Sequence, residues 1–567
     1  MIKLLFKNGS KILTQQQKSI FSAALIIMVM IAASRILGLL RNRVLAHFFS
    51  PETLSIYFSA FRLPETIFEV LIFGTLSSAF IPTFTAYLSK REEKEAWYIT
   101  SVVINLGLIF FLILATLFFV LSRPLYQLIA PGFSCSQREL IVNLSRILLI
   151  AQGFFVLSYF LTAVLESFQR FLIPAISPLF YNLGIILGTI FLAKKWGIYA
   201  PTLGAVIGAF FHFLIQLPLA YHLGFRPSLV FNVFHPGVRK IGKLALPRIL
   251  ELSFLQISKS AELFLASLVS TAAYTYYTFA NSLQLLPVGL FGTSIAKAAL
   301  PSLSYQNARG DQEEFKNTLI SLVKQIIFLT LPLSVFLVVL RIPLVRLVFG
   351  AAQFTWESTV QTGLTVSAFC LGIAPQSLVY LLNRAFYAFH DTKTPVKISI
   401  ITMLINILLG AIFILLFKLP IWSLALAFSL AVVIQVLILT FSLRKMVNFS
   451  VFDLFLYLIK ISFCSLISGG IMFFFLKVLD RSVWDKRLSF LGKLGLALPV
   501  SFDRFVLDTR YTVNLIFLTI IVGALGLITY FCLIKILKIE ELKVLIKLLV
   551  RFKRPIMVPP ISPEKDG

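Results

Sequence analysis

Long apolar stretches recur along the whole chain and constrain its fold more than any other feature. A helix that crosses about 30 Å of hydrocarbon needs roughly 20 apolar residues. Because lipid offers the backbone no hydrogen-bond partners, such stretches fold as helices. The sequence therefore predicts an all-α polytopic membrane protein with about fourteen transmembrane helices. The predicted spans lie near 20–40, 54–80, 98–121, 140–165, 172–194, 200–222, 244–270, 272–300, 318–340, 358–388, 396–417, 420–443, 453–478 and 512–537.

The composition excludes other classes of protein. Of 567 residues, 58% are hydrophobic and 13% are charged, whereas soluble domains are about 45–50% apolar and about 25% charged. The chain is too hydrophobic for a disordered protein and too apolar for a nucleic-acid binder, despite a net charge of +27. Its four cysteines have no metal-binding spacing and are interpreted as small hydrophobic residues.

Basic residues indicate the orientation of the chain. Lys3, Lys7, Lys11 and Lys18 precede the first span, which predicts a cytoplasmic N-terminus. An even number of spans then places the C-terminus in the cytoplasm too. The external loop 479–511 is an exception because it is also basic. The loops predicted to be cytoplasmic carry Lys90, Arg91, Lys94, Arg226, Arg239, Lys240, Arg444 and Lys445, and the tail carries Lys535, Lys538, Lys543, Lys547, Arg551, Lys553 and Arg554.

Three pairs of short motifs repeat in order at nearly one offset. The segments around Pro82 and Pro301 are 219 residues apart, those beginning at Pro124 and Pro343 share that offset, and Phe168 and Phe389 are 221 apart. Parallel repeats of six helices are a transporter arrangement with a substrate path between two lobes, although a scaffold without transport is an alternative. The predicted domains are an N-terminal lobe (1–225), a C-terminal lobe (226–446), a helix pair (447–540) and a basic cytoplasmic tail (541–567).

Ionisable residues inside the first two spans are candidate functional groups, because each costs at least about 2.5–3.5 kcal/mol at mid-bilayer. Arg35 and Arg41 lie towards the end of the first span. Arg62, Glu65 and Glu69 share one face early in the second span, where Pro64 could kink the helix. The structural alternatives are an Arg41 that snorkels to the headgroups and a self-neutralising cluster in the second span.

The seventh span carries a stripe of four charges. Arg248 and Glu251 are three residues apart, as are Lys259 and Glu262, and eleven residues return a helix to almost the same face. A stripe of this kind should face a hydrated cavity, with Lys297 of the eighth span as a further member. Ion pairs within the helix are the structural alternative.

The sequence has no nucleotide-binding, metal-binding or nucleophile motif. We therefore expect no catalytic residues, no metal and no cofactor. Transport would be secondary, driven by an ion or by the membrane potential, or downhill.

Several segments resemble the MurJ (MviN) family of lipid II flippases, in the multidrug/oligosaccharidyl-lipid/polysaccharide exporter superfamily. The most specific is 386–388 (FYA) followed by 391–397 (DTKTPVK). Others are 34–41 (SRILGLLR), 60–64 (AFRLP), 79–82 (AFIP), 130–133 (APGF), 170–175 (RFLIPA), 287–289 (PVG) and 300–303 (LPSL).

This resemblance implies fourteen helices in two six-helix lobes plus a final pair. It also implies export of an undecaprenyl-pyrophosphate-linked glycopeptide from the inner to the outer leaflet by alternating access. The implied partners are this lipid, membrane lipids and proteins of cell-wall synthesis and division. The family's two first-helix arginines correspond to Arg35 and Arg41, and they would bind the pyrophosphate.

The chain departs from the family pattern at several cavity positions. Residues that are charged in the family are Asn42, Ser55, Phe68, Ser282 and Leu285 here. We hypothesise that the cavity has been rewired, with Arg248 and Lys259 replacing lost anion contacts beside Arg62. The alternatives are a flippase for another polyprenyl-linked glycan and a degenerate member that acts as a scaffold.

Overall fold

The structure is a computed structural model that describes residues 20–75, 79–481 and 506–542, without the side chains of 20–28, 73–75, 247, 248, 250 and 251. Within these residues, regular structure is helical apart from one isolated bridge between Asp480 and Leu507. In this described part of the chain, twelve helices are long and apolar enough to cross a membrane. They match the predicted spans three to fourteen, so the predicted fold class is confirmed.

The helices follow one another in chain order with short connections. Their bounds are α1 Ile20–Phe48, α2 Pro51–Ala60, α3 Arg62–Thr75, α4 Ile81–Ser89, α5 Glu93–Ile129, α6 Cys135–Ser167, α7 Leu172–Trp196, α8 Tyr199–Leu214, α9 Leu217–His222, α10 Pro236–Val269, α11 Ala273–Pro287, α12 Ser294–Ala308, α13 Gln312–Val339, α14 Arg341–Phe349, α15 Trp356–Ala388, α16 Lys393–Ala411, α17 Trp422–Arg444, α18 Val451–Leu479 and α19 Thr512–Ile536. A π-helical turn, Val288–Thr293, joins α11 to α12, and a second one, Ile412–Leu416, extends α16.

The region predicted as the second span, 54–80, contains α2 from residue 54 onward and all of α3, and α4 begins just after it. The break between α2 and α3 falls at Phe61, whose backbone N–H donates a hydrogen bond to the carbonyl of Phe58. The kink expected at Pro64 is therefore wrong in position. The break lies three residues earlier, and Pro64 occupies the first turn of α3, where its missing N–H costs no helical hydrogen bond.

The chain falls into two compact units. The first contains residues 1–286, 345–369 and 396–435, and the second contains 287–344, 370–395 and 436–567. The lobes predicted at 1–225 and 226–446 remain a prediction, and most of the tail at 541–567 lies outside the described residues.

Within the first unit, α7 and α8 cross with almost no space between their backbones. Gly184 and Gly188 on α7 face Gly204 and Gly208 on α8, and a Cβ at Gly184 would lie 2.5 Å from the carbonyl oxygen of Gly204. Small residues four apart allow this approach and supply packing where lipid removes the hydrophobic driving force. The crossing fixes the position of α7 against α8 at the functional site described below.

Within the second unit, the last two spans are fastened to each other and to α13 by polar groups. Ser468 on α18 donates to the carbonyl of Gly526 on α19 at 2.6 Å, and the Tyr530 hydroxyl donates to the carbonyl of Phe328 on α13 at 2.8 Å. Interhelical hydrogen bonds of this kind hold membrane helices at a defined register.

Candidate functional site

Arg41 on α1 donates hydrogen bonds to two amide side chains. Its Nε and Nη2 donate to Oδ1 of Asn42 at 3.2 and 3.1 Å, and its Nη1 donates to Oδ1 of Asn182 on α7 at 3.1 Å. Asn182 is itself held by the carbonyl of Pro178 at 3.3 Å. Because these partners are neutral, they orient the guanidinium without cancelling its charge.

Arg41 lines a cavity of about 730 Å³ within the first unit. Arg35 lines the same cavity, so both predicted arginines of the first span are brought together although six residues separate them. Both side chains reach this cavity because it extends along α1 from Met30 to Asn42. Other polar side chains in its wall are Ser34, Asn42, Tyr159, Thr162, Glu166, Asn182, His212 and Ser282.

A second, smaller cavity of about 170 Å³ has acidic groups in its wall, Glu65 and Glu69. Tyr159, Pro178 and His212 line both cavities and so form the wall between them. The rings of Tyr159 and His212 stack with centroids 5.6 Å apart. The site therefore consists of a basic compartment and an acidic compartment that share an aromatic partition.

His212 is fixed within this partition by a chain of polar side chains. Its Nδ1 lies 2.6 Å from the hydroxyl of Ser158, which also accepts from Nε2 of Gln216 at 2.7 Å. Thr162 donates to Oε1 of Gln216 at 2.8 Å. Buried polar groups that are mutually satisfied in this way specify one arrangement of α6 against α8.

The charged face of α3 is connected to α10 through Gln256. Arg62 donates to Oε1 of Gln256, and Nε2 of Gln256 donates to Glu69. Lys259, one turn further along α10, forms an ion pair with Glu69, with Nζ 2.7 Å from Oε2. The ion pair described for Lys259 therefore joins two helices and is not the pair with Glu262 that the structural alternative proposed.

The other predicted site residues have different outcomes. Glu262 contacts Tyr277 and lies within electrostatic range of Arg62 and Lys259, so it belongs to the same charged region. The side chains of Arg248 and Glu251 lie outside the described residues. Lys297 is exposed on α12 and belongs to the second unit.

Sequence reasoning missed the neutral members of the site, namely Asn182, His212, Gln216 and Gln256. All four are buried, with exposed fractions of 6% or less. A usable signal was present, because each is a polar residue inside an otherwise apolar stretch. Such residues are costly in a membrane unless they bind a partner.

Membrane-spanning helices around a cavity lined by charged and polar side chains are the arrangement of a membrane transporter. The fold matches a multidrug resistance MATE family transporter of the MOP superfamily in its inward-facing conformation, with a TM-score of 0.61 and 15% identity over 73% of this chain and 94% of that one. At this identity the match identifies the fold alone.

The family model for lipid II flippase MurJ matches residues 44–492, so the chain belongs to the MurJ family. A probable lipid II flippase MurJ from Buchnera aphidicola is 29% identical over 81% of this chain and 90% of the relative. A solved structure described as lipid II flippase MurJ in an inward closed conformation aligns with a TM-score of 0.73 and 26% identity, over 91% of this chain and all of that one.

Proposed function

We propose that this protein moves lipid II from the cytoplasmic to the outer leaflet of the bacterial inner membrane. The observation that carries the proposal is the state of Arg41, which is oriented by two amide oxygens inside a cavity of about 730 Å³. A guanidinium has five N–H donors, and three of them hold Arg41 in place. The other two can point at a phosphate oxygen.

Arginine suits a pyrophosphate better than lysine does, because its planar fork binds two oxygens at once and keeps its charge when desolvated. In this proposal Arg41 provides the oriented contact. Arg35, which is exposed, captures the anion as it enters. Both termini would lie in the cytoplasm.

The charged network of α3 and α10 has a different role in this scheme. Arg62 and Lys259 are both engaged, through Gln256 and Glu69 respectively, and these contacts fasten α3 to α10. A conformational change that opens the cavity to the other side of the membrane would have to break contacts in this network. The rewiring hypothesis would require Lys259 to leave Glu69 when substrate arrives.

The test is complementation of a host depleted of its own lipid II flippase, with leaflet-specific labelling of lipid II. We expect Arg41→Ala to abolish the appearance of lipid II in the outer leaflet. Arg41→Lys should restore it only partly, because the ammonium is a point charge without the bidentate fork. Wild-type outer-leaflet lipid II in the Arg41→Ala strain would contradict the assigned role of Arg41.

The proposed function itself is tested separately from this residue. Expression of the wild-type chain in the depleted host should restore outer-leaflet lipid II. Absence of restoration, with normal membrane insertion of the protein, would favour another polyprenyl-linked glycan as cargo. That alternative is examined by supplying such a glycan lipid in the same assay.

A further inference from the structure

The second unit contains a cavity of about 570 Å³ that none of the roles above uses. It lies where the first turns of α13 and α18 meet the end of α17. The orientation predicted from the sequence places these three helix ends at the cytoplasmic boundary of the membrane. Its wall combines basic side chains of α13 and α17, an acidic side chain of α18, and polar and aromatic side chains of the connection between α17 and α18.

Three cations line this cavity, and they are not equivalent. Lys316 forms an ion pair with Glu313 at 2.9 Å, so its charge is compensated. Lys324 is half-buried, with Nζ 5.4 Å from the ring centroid of Tyr457. Arg444 is exposed at the end of α17, and no ion pair is described for it within residues 20–75, 79–481 and 506–542.

The position of Lys324 is fixed by contacts with α18. The Tyr457 hydroxyl donates to the backbone carbonyl of Lys324 at 3.4 Å, which holds α18 against α13 at this level. Two carboxylates moderate the local charge. Asp453 lines the cavity, and Glu541 interacts with the hydroxyl side of Tyr457. Lys324 and Arg444 therefore present a moderate positive charge to the cavity.

A narrow slot of about 30 Å³ adjoins this cavity. Its wall is apolar except for Thr440 and contains Leu319, Val323, Leu378 and Leu382, while Ile320, Phe449 and Leu454 line both the slot and the 570 Å³ cavity. A soluble phosphate compound would use the cations and leave the slot empty. A ligand that fits both parts has an anionic head and an apolar chain.

We propose that this cavity binds the headgroup of an anionic phospholipid. Its phosphate would lie between Lys324 and Arg444, and the first methylenes of one acyl chain would enter the slot. Basic pockets between membrane helices at the cytoplasmic side are suited to such headgroups. The lipid would bridge α13, α17 and α18, and so help to hold the last helix pair on the second unit.

The experiment measures lipid binding to the purified full-length protein by native mass spectrometry, with phosphatidylglycerol and phosphatidylcholine as probes. We expect the protein to bind phosphatidylglycerol more tightly. Lys324→Gln should weaken this binding roughly fivefold, because each basic side chain near an anionic surface contributes about 1 kcal/mol. Lys324→Gln/Arg444→Gln should lose the preference for phosphatidylglycerol altogether.

The matched control is Lys418→Gln/Lys477→Gln, which removes the same charge at the opposite helix ends. Lys477 also lies over an aromatic ring, at 5.3 Å from the centroid of Phe473, so it copies the local setting of Lys324. This control should keep the wild-type preference. Equal losses in the two double variants would overturn the proposal, because the effect would then be one of net charge.

Two further measurements keep the proposal testable if the double variant does not fold. Asp453→Asn removes a carboxylate from the wall and should tighten phosphatidylglycerol binding by a few-fold; unchanged binding would count against the site. Glycerol phosphate, added to the wild type at the same concentration, should not raise the thermal unfolding midpoint as phosphatidylglycerol does. An equal rise would identify a soluble ligand instead of a lipid.

Discussion

Lys259 on α10 donates to both carboxylate oxygens of Glu69 on α3, at 3.0 and 2.7 Å. Gln256 reaches the same carboxylate and also accepts from Arg62. Arg62 is thus joined to Glu69 through one amide, whereas Lys259 contacts Glu69 directly, and the network ties two helices that lie far apart in the sequence.

The first prediction is that Glu69 and Lys259 are energetically coupled. We expect Glu69→Gln and Lys259→Gln each to destabilise the protein, and the double variant to be more stable than the sum of the two losses predicts. Contacting charged residues typically show coupling of about 0.5–3 kcal/mol. Because both side chains are half-buried, we expect about 1 kcal/mol, measured by unfolding in detergent. Strictly additive losses would refute the coupling.

The second prediction concerns the charge around Arg41. Asn182→Asp should weaken binding of a pyrophosphate lipid about tenfold, or about 1.4 kcal/mol, because a carboxylate at this position neutralises the guanidinium. Asn182→Ala serves as the control, since it removes the hydrogen bond and leaves the charge. If Asn182→Ala weakens binding as much as Asn182→Asp does, the orientation of the Arg41 guanidinium matters more than its charge, and our explanation fails.

The third prediction tests the crossing of α7 and α8. A valine at Gly184 would place its Cβ 2.5 Å from a backbone oxygen that cannot move alone. We expect Gly184→Val to cost about 1–3 kcal/mol, the usual range for overpacking. Gly470→Ala is the control, because no atom lies within 4 Å of its Cβ position. A lower unfolding temperature in both variants would mean that the crossing is not responsible.

The fourth prediction concerns Asp391, in the segment that most resembles the family. Its Oδ1 accepts the backbone N–H groups of Lys393 and Thr394 at 3.0 Å each, so it caps the first turn of α16. Slight burial raises the pKa of this carboxyl, but the hydrogen bonds from Thr394 and Lys393 and the nearby Lys393 charge outweigh it and hold the pKa below its usual value.

A lowered pKa in the folded state means that the carboxylate stabilises the fold above the unfolded pKa and loses this effect as the pH falls through the folded pKa. Asp391→Ala should therefore cost about 1 kcal/mol at pH 7. The difference from wild type should shrink below about pH 4. Unfolding measured from pH 7 to pH 3 would decide this, and a constant difference would argue against the cap.

The sequence was a reliable guide to helix positions and a partial guide to the site. Span lengths follow from hydrophobic thickness, so the twelve long helices that match the predicted spans three to fourteen could be placed without tertiary information, whereas the short helix α14 was not predicted. The partner of Lys259 could not be predicted, because helical periodicity defines one face of a helix but not the helix that packs against it. Asn182 and Gln256 were missed for a related reason, since their importance depends on which arginine they meet.

The hydrogen bonding of Arg41 to two asparagines also has an evolutionary consequence. Asparagine and aspartate codons differ by a single nucleotide, so Asn42 and Asn182 are each one point mutation away from a carboxylate. The electrostatic field of this cavity can therefore be adjusted by single substitutions of similar size, while the rest of α1 and α7 keeps its sequence. A lineage under selection for a different headgroup could retune its transporter without passing through a misfolded intermediate.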